Sequence, residues 1–188
     1  MDVLLLVAYS AMSLAGGDAA SPNMVSECGV VLEAPPGWSA GPRALTPEGK
    51  CAFRVGPPEA ATPLADADDP NAVPQEFWVR VSKETIASVV ESEMVERDND
   101  GWYFVGRWNL REPAKEIHTA CCLAVVGGVE AGRYGPEGYR GMGLAPLAFV
   151  FGEHQTAELF ANPAAVDADV FERAAGSLVF GPNRLTRP

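Results

Sequence analysis

Ser39 lies in the stretch Gly37-Trp38-Ser39-Ala40-Gly41, which matches the G-x-S-x-G pattern of a serine-hydrolase nucleophile turn. That chemistry needs a strand before the serine and a helix after it, so that the helix N-terminus faces the developing oxyanion. The residues after Ser39 run Gly41-Pro42-Arg43-Ala44-Leu45-Thr46-Pro47-Glu48-Gly49. Two prolines and two glycines leave no room for a helix directly after the serine. Pro35-Pro36 before it suits an edge strand better than the central strand of a hydrolase sheet. The competing reading is structural: Pro35, Pro36 and Gly37 end a strand, and Trp38 plugs the core. Ser39 is therefore the alternative catalytic residue, and no catalytic residue is the preferred assignment.

His118 and His154, with Glu116 and Glu153, form the second constellation, since two imidazoles and two carboxylates are a plausible ligand set for a divalent metal. With a hairpin tip centred between Pro136 and Glu137, Thr119 faces His154 and His118 faces Gln155, which puts the histidines on opposite faces. A one-residue bulge near Gly127-Gly128 or Gly141 to Gly143 would bring them to one face. Without it they are two edge histidines, so no metal is the preferred assignment and these four residues the alternative. Glu96-Arg97-Asp98-Asn99-Asp100-Gly101 has the alternating acids and turn glycine of a calcium loop. The twelfth position, however, is Arg107 where a bidentate Glu is required. A helix-to-strand turn is the expected structure there. Arg133, Tyr134, Tyr139 and Arg140 flank the tip at Gly135-Pro136-Glu137-Gly138, with Tyr134 and Tyr139 opposite each other. Tyr and Arg are favoured in interfaces, which makes these four the candidate binding residues. No cofactor is expected.

Four cysteines complete the reactive inventory: Cys28, Cys51, Cys121 and Cys122. No C-x-x-C spacing points to zinc. Cys121 and Cys122, read as neighbours on one strand, point to opposite faces and make poor partners. Cys28 and Cys51, read as opposite ends of a simple hairpin, are also poor partners.

The elements that would position these residues follow from periodicity. Gly29 to Ala34 and Cys51 to Val55 read as strands, with a mobile acidic Pro-rich loop over 56–74. Phe77 to Val81 alternates and reads as a strand. A helix follows, capped by Ser82, with Ile86, Val89, Val90 and Met94 on one face up to the turn at Asp98. Trp102 to Asn109 reads as a strand covered on both sides. Ile117 to Val126 and Leu144 to Phe151 read as two long strands around a Gly-rich ribbon. Asp169 with Glu172 reads as the capping box of a last helix, and Ser177 to Phe180 as a closing strand. The expected fold class is α+β: a single domain with a twisted antiparallel sheet and helices packed on it.

The chain has 188 residues, 47% of them hydrophobic, and a formal net charge of -11. This is globular composition, large enough for one full core. The acidity opposes binding to nucleic acid or to anionic lipid, both of which need clustered Lys and Arg. Val3 to Ala15 is an apolar run of signal-peptide length, too short for a spanning helix of about 20 residues. Small residues at Ser13-Leu14-Ala15 and Gly17-Asp18-Ala19 offer cleavage sites. Residues 1–19 are thus read as a signal peptide despite Asp2 and the absence of a basic residue before the run. Residues 20–181 are read as the domain and 182–188 as a frayed tail. No membrane span remains after cleavage, and the expected location is periplasmic or extracellular.

Strand-to-Pro36-Gly37-Trp38, the helix after the third strand, and the closing Val170-Phe171-Glu172-Arg173-Ala174-Ala175-Gly176-Ser177-Leu178-Val179-Phe180 together resemble the PsbP-like superfamily. That superfamily includes an extrinsic photosystem II subunit, a yeast Ran-binding protein and bacterial envelope proteins of the DcrB type. The likeness runs over roughly residues 28 to 181 in order of elements. It implies a non-enzymatic binding or assembly module of the bacterial envelope, with an unknown envelope protein or small ligand as partner. Gly17 stands where a lipoprotein of that group would carry its lipid-bearing Cys. The alternatives are a small serine hydrolase using Ser39 and, with an uncleaved N-terminus, a cytoplasmic adaptor or chaperone.

Overall fold

The computed structural model describes residues 22–58, 75–92, 94–106, 109–119, 121–135, 138–163 and 165–181, and the side chains of 133–140 lie outside that description. The expected signal peptide, the 182–188 tail and most of the 56–74 loop fall outside these residues.

The described chain begins with a hairpin of β1 (Asn23–Glu27) and β2 (Val30–Ala34), in which Glu27 pairs with Val30. The two turn residues, Cys28 (φ 53°) and Gly29 (φ 77°), are both left-handed. Two left-handed positions in a two-residue loop match the right-handed twist of the flanking strands. β13 (Val179–Phe180) pairs with the start of β2 to complete a three-stranded sheet.

The remaining strands are β3 (Ser39–Ala40), β4 (Ala44–Leu45), β5 (Cys51–Gly56), β6 (Phe77–Ser82), β7 (Val95–Arg97), β8 (Trp102–Val105), β9 (Arg111–His118), β10 (Leu123–Gly135), β11 (Gly138–Phe151) and β12 (Thr156–Phe160). They build a ten-stranded sheet in the order β3-β5-β6-β12-β11-β10-β9-β8-β7, with β4 also on β5. Every strand pair described is antiparallel. The helices are short: α1 (Ile86–Glu91) and α2 (Ala168–Ser177).

This corrects the α+β expectation. The protein is a β-rich, mostly antiparallel fold with two small helices. Six strands were not expected from the sequence: β1, the two-residue β3 and β4, β7, most of β9, and β12. β1 falls between the expected signal peptide and the first expected strand. β9 carries alternating charges and Pro113 in place of an apolar face, and β12 is a five-residue strand directly after a turn. The expected helix from Ser82 shrinks to six residues, capped instead by Thr85, whose Oγ1 accepts from Ser88 N–H at 3.3 Å. Met94 lies outside it, and β7 occupies the stretch assigned to its last turns. α2 starts after Asp167, with Asp169 in its first turn rather than at the cap.

Packing explains why the large sheet holds two cores. β10 over Ala124–Val126 and β11 over Ala148–Phe151 are buried on both faces, so their apolar residues there do not alternate with polar ones. Ala124, Val126, Ala148 and Val150 join Phe53, Val79 and Leu159 beneath β1, β2 and α2. Val125, Phe149 and Phe151 face the other way, against Val89 of α1 and against Trp102 and Phe104 of β8. The Phe149 and Phe151 rings stack 6.0 Å apart, and Trp102 stacks on Phe151 at 6.3 Å. Gly127 allows this close approach: a Cβ there would lie 3.2 Å from the Phe104 ring. α2 is anchored by Phe171, 1% exposed, whose ring meets Phe77 edge-on at 5.9 Å. Ala174 and Ala175, both fully buried, let the helix axis come close to the sheets.

Candidate functional site

The Pro35–Trp38 segment folds as the structural reading required. Trp38 N–H donates to Pro35 O at 3.0 Å and Gly37 has φ 83°, a tight turn with Pro at its second position and Gly at its third. Asn23 Nδ2 donates to both Pro35 O (2.7 Å) and Trp38 O (2.8 Å), locking the turn to β1. Trp38 packs on the main core 6.1 Å from the Phe77 ring. Ser39 is exposed in β3 opposite Gly56, and the chain continues into β4 instead of a helix. The helix N-terminus that a nucleophile elbow needs is thus replaced by strand.

The four alternative metal ligands are not brought together, and no group of three or more His, Cys, Asp or Glu side chains with metal-binding geometry occurs among the described residues. The reason is a misread element. Residues 117–126 are two strands joined by a turn, in which Thr119 N–H donates to Cys122 O at 2.9 Å. Thr119 therefore does not face His154. His118 ends β9 opposite Leu123, and His154 sits in the turn between β11 and β12. A bulge does exist in the ribbon, between Gly132 and Tyr134, but both histidines lie beyond the paired span it shifts. Each imidazole has a local carboxylate: His118 Nε2 contacts Glu116, and His154 Nε2 lies 3.4 Å from Glu153. Glu116 also accepts from the Trp102 indole N–H at 2.6 Å. That bond, followed by the contact with His118, holds the Glu116 carboxyl below the usual range.

The calcium-like stretch is a hairpin turn between β7 and β8. Asp98 N–H donates to Gly101 O at 3.0 Å, and Asp98 Oδ1 accepts from Asp100 N–H at 2.9 Å. The acids point at a cation supplied by the protein itself. Arg111 reaches Asp98 at 2.6 Å and Glu96 at 2.9 Å while lying 4.1 Å over the Tyr103 ring. Arg111 lowers the pKa of Asp98, and Asp98 in turn raises that of Arg111. For Arg133, Tyr134, Tyr139 and Arg140 only the backbone is described: Tyr134 pairs with Tyr139 at the end of the ribbon. Their side chains lie outside the described residues.

A groove that no sequence motif marked runs along α2. Its volume is about 500 Å³, and it is lined by Glu33, Ile117, Asp169, Glu172, Arg173, Gly176 and Ser177. Asp169, Glu172, Arg173 and Gly176 follow one another at i, i+3, i+4 and i+7, so they share one face of the helix. This face is opposite the buried Phe171, Ala174 and Ala175. β13 covers only Val30 and Val31 of β2. Beyond it Glu33 N–H donates to Ser177 Oγ at 2.8 Å, and Ser177 Oγ–H donates to Ala174 O at 3.0 Å. Lys115 pairs with Glu172. A smaller hollow of about 100 Å³ shares Glu33 and Arg173 and extends to Pro35, Pro36 and Val170. The polar helix face was visible in the sequence; that a free stretch of β2 lies beside it was not.

All four cysteines are paired, contrary to both sequence arguments. Cys28 bonds Cys51 with 5.7 Å between Cα atoms. They are not ends of one hairpin: Cys28 is in the β1–β2 turn of the small sheet and Cys51 starts β5 of the large one, so the bond staples the two sheets. Cys121 bonds its neighbour Cys122. The opposite-face argument fails because these residues occupy the turn between β9 and β10, not a strand. Two disulfides fit an oxidising, exported environment, which removes support from the cytoplasmic alternative. Among the described residues no helix is long and apolar enough to cross a membrane.

No family model matches the chain, and no curated protein matches it. A solved structure from Bacteroides thetaiotaomicron is similar at a TM-score of 0.46 and 13% identity, over 85% of this chain and 48% of that one. The chain thus spans about half the length of that structure. The PsbP-like resemblance remains a reading of the sequence alone.

Proposed function

We propose that the protein is an exported binding module, periplasmic or extracellular, whose groove along α2 takes a cationic segment of another envelope component. The observation that carries this reading is the groove itself. Three carboxylates, Glu33, Asp169 and Glu172, line one concave surface with Ile117, Gly176 and a single cation, Arg173, Lys115 already pairing with Glu172, on a chain of net charge -11. Complementary charge of this kind steers and orients a partner more than it tightens binding. The hydroxyl within the groove favours binding over catalysis, because Ser177 Oγ is committed to two backbone groups.

Calorimetric titration of the full chain with a pentalysine peptide tests the proposal. Exposed pairs contribute about 0.2–1 kcal/mol each, so three of them supply at most about 3 kcal/mol, and binding no tighter than roughly 5 mM is expected. It should weaken as salt is raised and be absent with pentaglutamate. Equal heats for both peptides would remove the basis for a cationic partner. Labelling by a fluorophosphonate that disappears in Ser39→Ala would favour the hydrolase instead.

A further inference from the structure

The two disulfides differ in the access of a sulfur to solvent and in the length of chain they close. Cys28 is 5% exposed at the edge of the main core, and its bond to Cys51 spans 23 positions of chain between two sheets. Cys121 is exposed, at the tip of the turn joining β9 to β10, and its bond spans a single peptide unit. A cross-link stabilises chiefly by restricting the unfolded chain, and the restriction grows with the loop it closes. A bond between adjacent residues closes almost no loop and joins no separate elements. The turn is already held without it: Thr119 N–H donates to Cys122 O (2.9 Å), and Cys122 N–H donates to Thr119 Oγ1 (3.1 Å). The flanking strands add their own ladder, starting at His118 opposite Leu123. A bond that is dispensable for the fold and open to solvent has the character of the labile, reactive class of disulfides.

We propose that Cys121–Cys122 is a site of thiol–disulfide exchange whose reaction partner is a dithiol. A thiolate of the partner attacks the exposed Cys121 Sγ. The Cys121–Cys122 S–S bond breaks, its electron pair leaves on Cys122 Sγ, and a mixed disulfide forms at Cys121. The partner's second thiol, as thiolate, then attacks its own sulfur in that mixed bond and expels Cys121 Sγ. Two electrons and two protons have passed to the protein, which now carries two thiols, and the partner carries the disulfide. Access directs the attack: Cys122 is the inner residue, 8% exposed, so the exposed Cys121 sulfur is the one the partner reaches and Cys122 Sγ is the one released. Thr119 Oγ1 lies 3.7 Å from Cys121 Sγ while its hydroxyl donates to Cys122 O at 3.2 Å, so it holds the turn beside the attacked sulfur. The strand ladder and the Cys28–Cys51 bond remain in place throughout, so the site cycles on a fixed frame.

The test is stepwise reduction of the full, oxidised chain with dithiothreitol. Free thiols are trapped with N-ethylmaleimide and located by peptide mass spectrometry. Cys121 and Cys122 are expected to become labelled together, at least about tenfold faster than Cys28 and Cys51. Phenylarsine oxide, which bridges closely spaced dithiols, should then add once per chain, and circular dichroism should remain that of the folded protein. Opening of Cys28–Cys51 first, or opening of both bonds at one rate, would overturn the proposal. Cys122→Ser supplies the independent arm. Its single Cys121 thiol should form a mixed disulfide with oxidised glutathione while the fold is retained, and failure of the folded variant to do so counts against Cys121 as the attacked sulfur.

Discussion

Removing the inter-sheet disulfide with Cys28→Ala/Cys51→Ala probes how the small sheet is tied to the large one. The bond spans 23 positions, and the loop it closes contains β2, β3 and β4. For a loop of that length the chain-entropy relation gives about 3.4 kcal/mol of stabilisation at 25 °C. In a protein of this size each kcal/mol shifts Tm by roughly 2–4 °C, so the variant should melt about 7–14 °C lower. Urea unfolding followed by tryptophan fluorescence should also show a larger m value, because the uncrosslinked denatured chain exposes more surface. The control is Cys121→Ala/Cys122→Ala, whose bond spans one peptide unit and which should cost less than about 1 kcal/mol. A loss below about 1 kcal/mol for Cys28→Ala/Cys51→Ala, or equal losses for the two double variants, would refute the argument that loop length ranks these bonds.

Three further outcomes follow from the packing and the charges. Gly127→Ala places a Cβ 3.2 Å from the Phe104 ring and 3.3 Å from Pro113 O; the backbone oxygen cannot swing aside, and a loss of about 1–3 kcal/mol is expected in urea unfolding. Phe171→Ala removes the anchor of α2, a ring 1% exposed against Phe77, and should cost about 3–5 kcal/mol, with α2 amides losing hydrogen-exchange protection first. Glu84, held by Lys50 Nζ at 2.8 and 2.9 Å and then by Ser82 Oγ, has its pKa lowered from 4.5. A lowered folded pKa means its contribution is complete above the unfolded value and is lost as pH falls through the folded one. Stability should therefore decline below about pH 4.5, and Glu84→Gln should flatten that acid limb; an identical limb in the variant would remove Glu84 from the account.

Residues whose environment repeats locally were legible in the sequence. β6 was read correctly because Phe77, Val79 and Val81 are buried while Trp78 and Arg80 are not, and the ribbon was placed by Tyr134 opposite Tyr139. β9 was not legible, because it offers one partly buried apolar residue to each core, Ile117 to the main one and Ala114 to the other, among charged residues. Reading residues 117–126 as one strand then displaced both histidines and both cysteines: a four-residue turn at 119–122 gives no Gly or Pro signal, being held by the Thr119 side chain. The Cys28–Cys51 pairing depends on β2 and β5 lying in different sheets, a long-range fact that local pattern does not encode. The groove has the same origin. The polar face of α2 can be read from spacing, but Glu33 joins it only because β13 stops short on β2.

The central claim is that the groove along α2 is where a cationic partner sits. Amide shifts of the isotope-labelled full chain during titration with pentalysine test it most directly. The account requires the largest shifts at Glu33, Asp169, Glu172, Arg173 and Gly176, and their disappearance in Glu33→Gln/Asp169→Asn. Shifts spread evenly over the acidic surface, or centred on residues 133–140 of the ribbon, would contradict it.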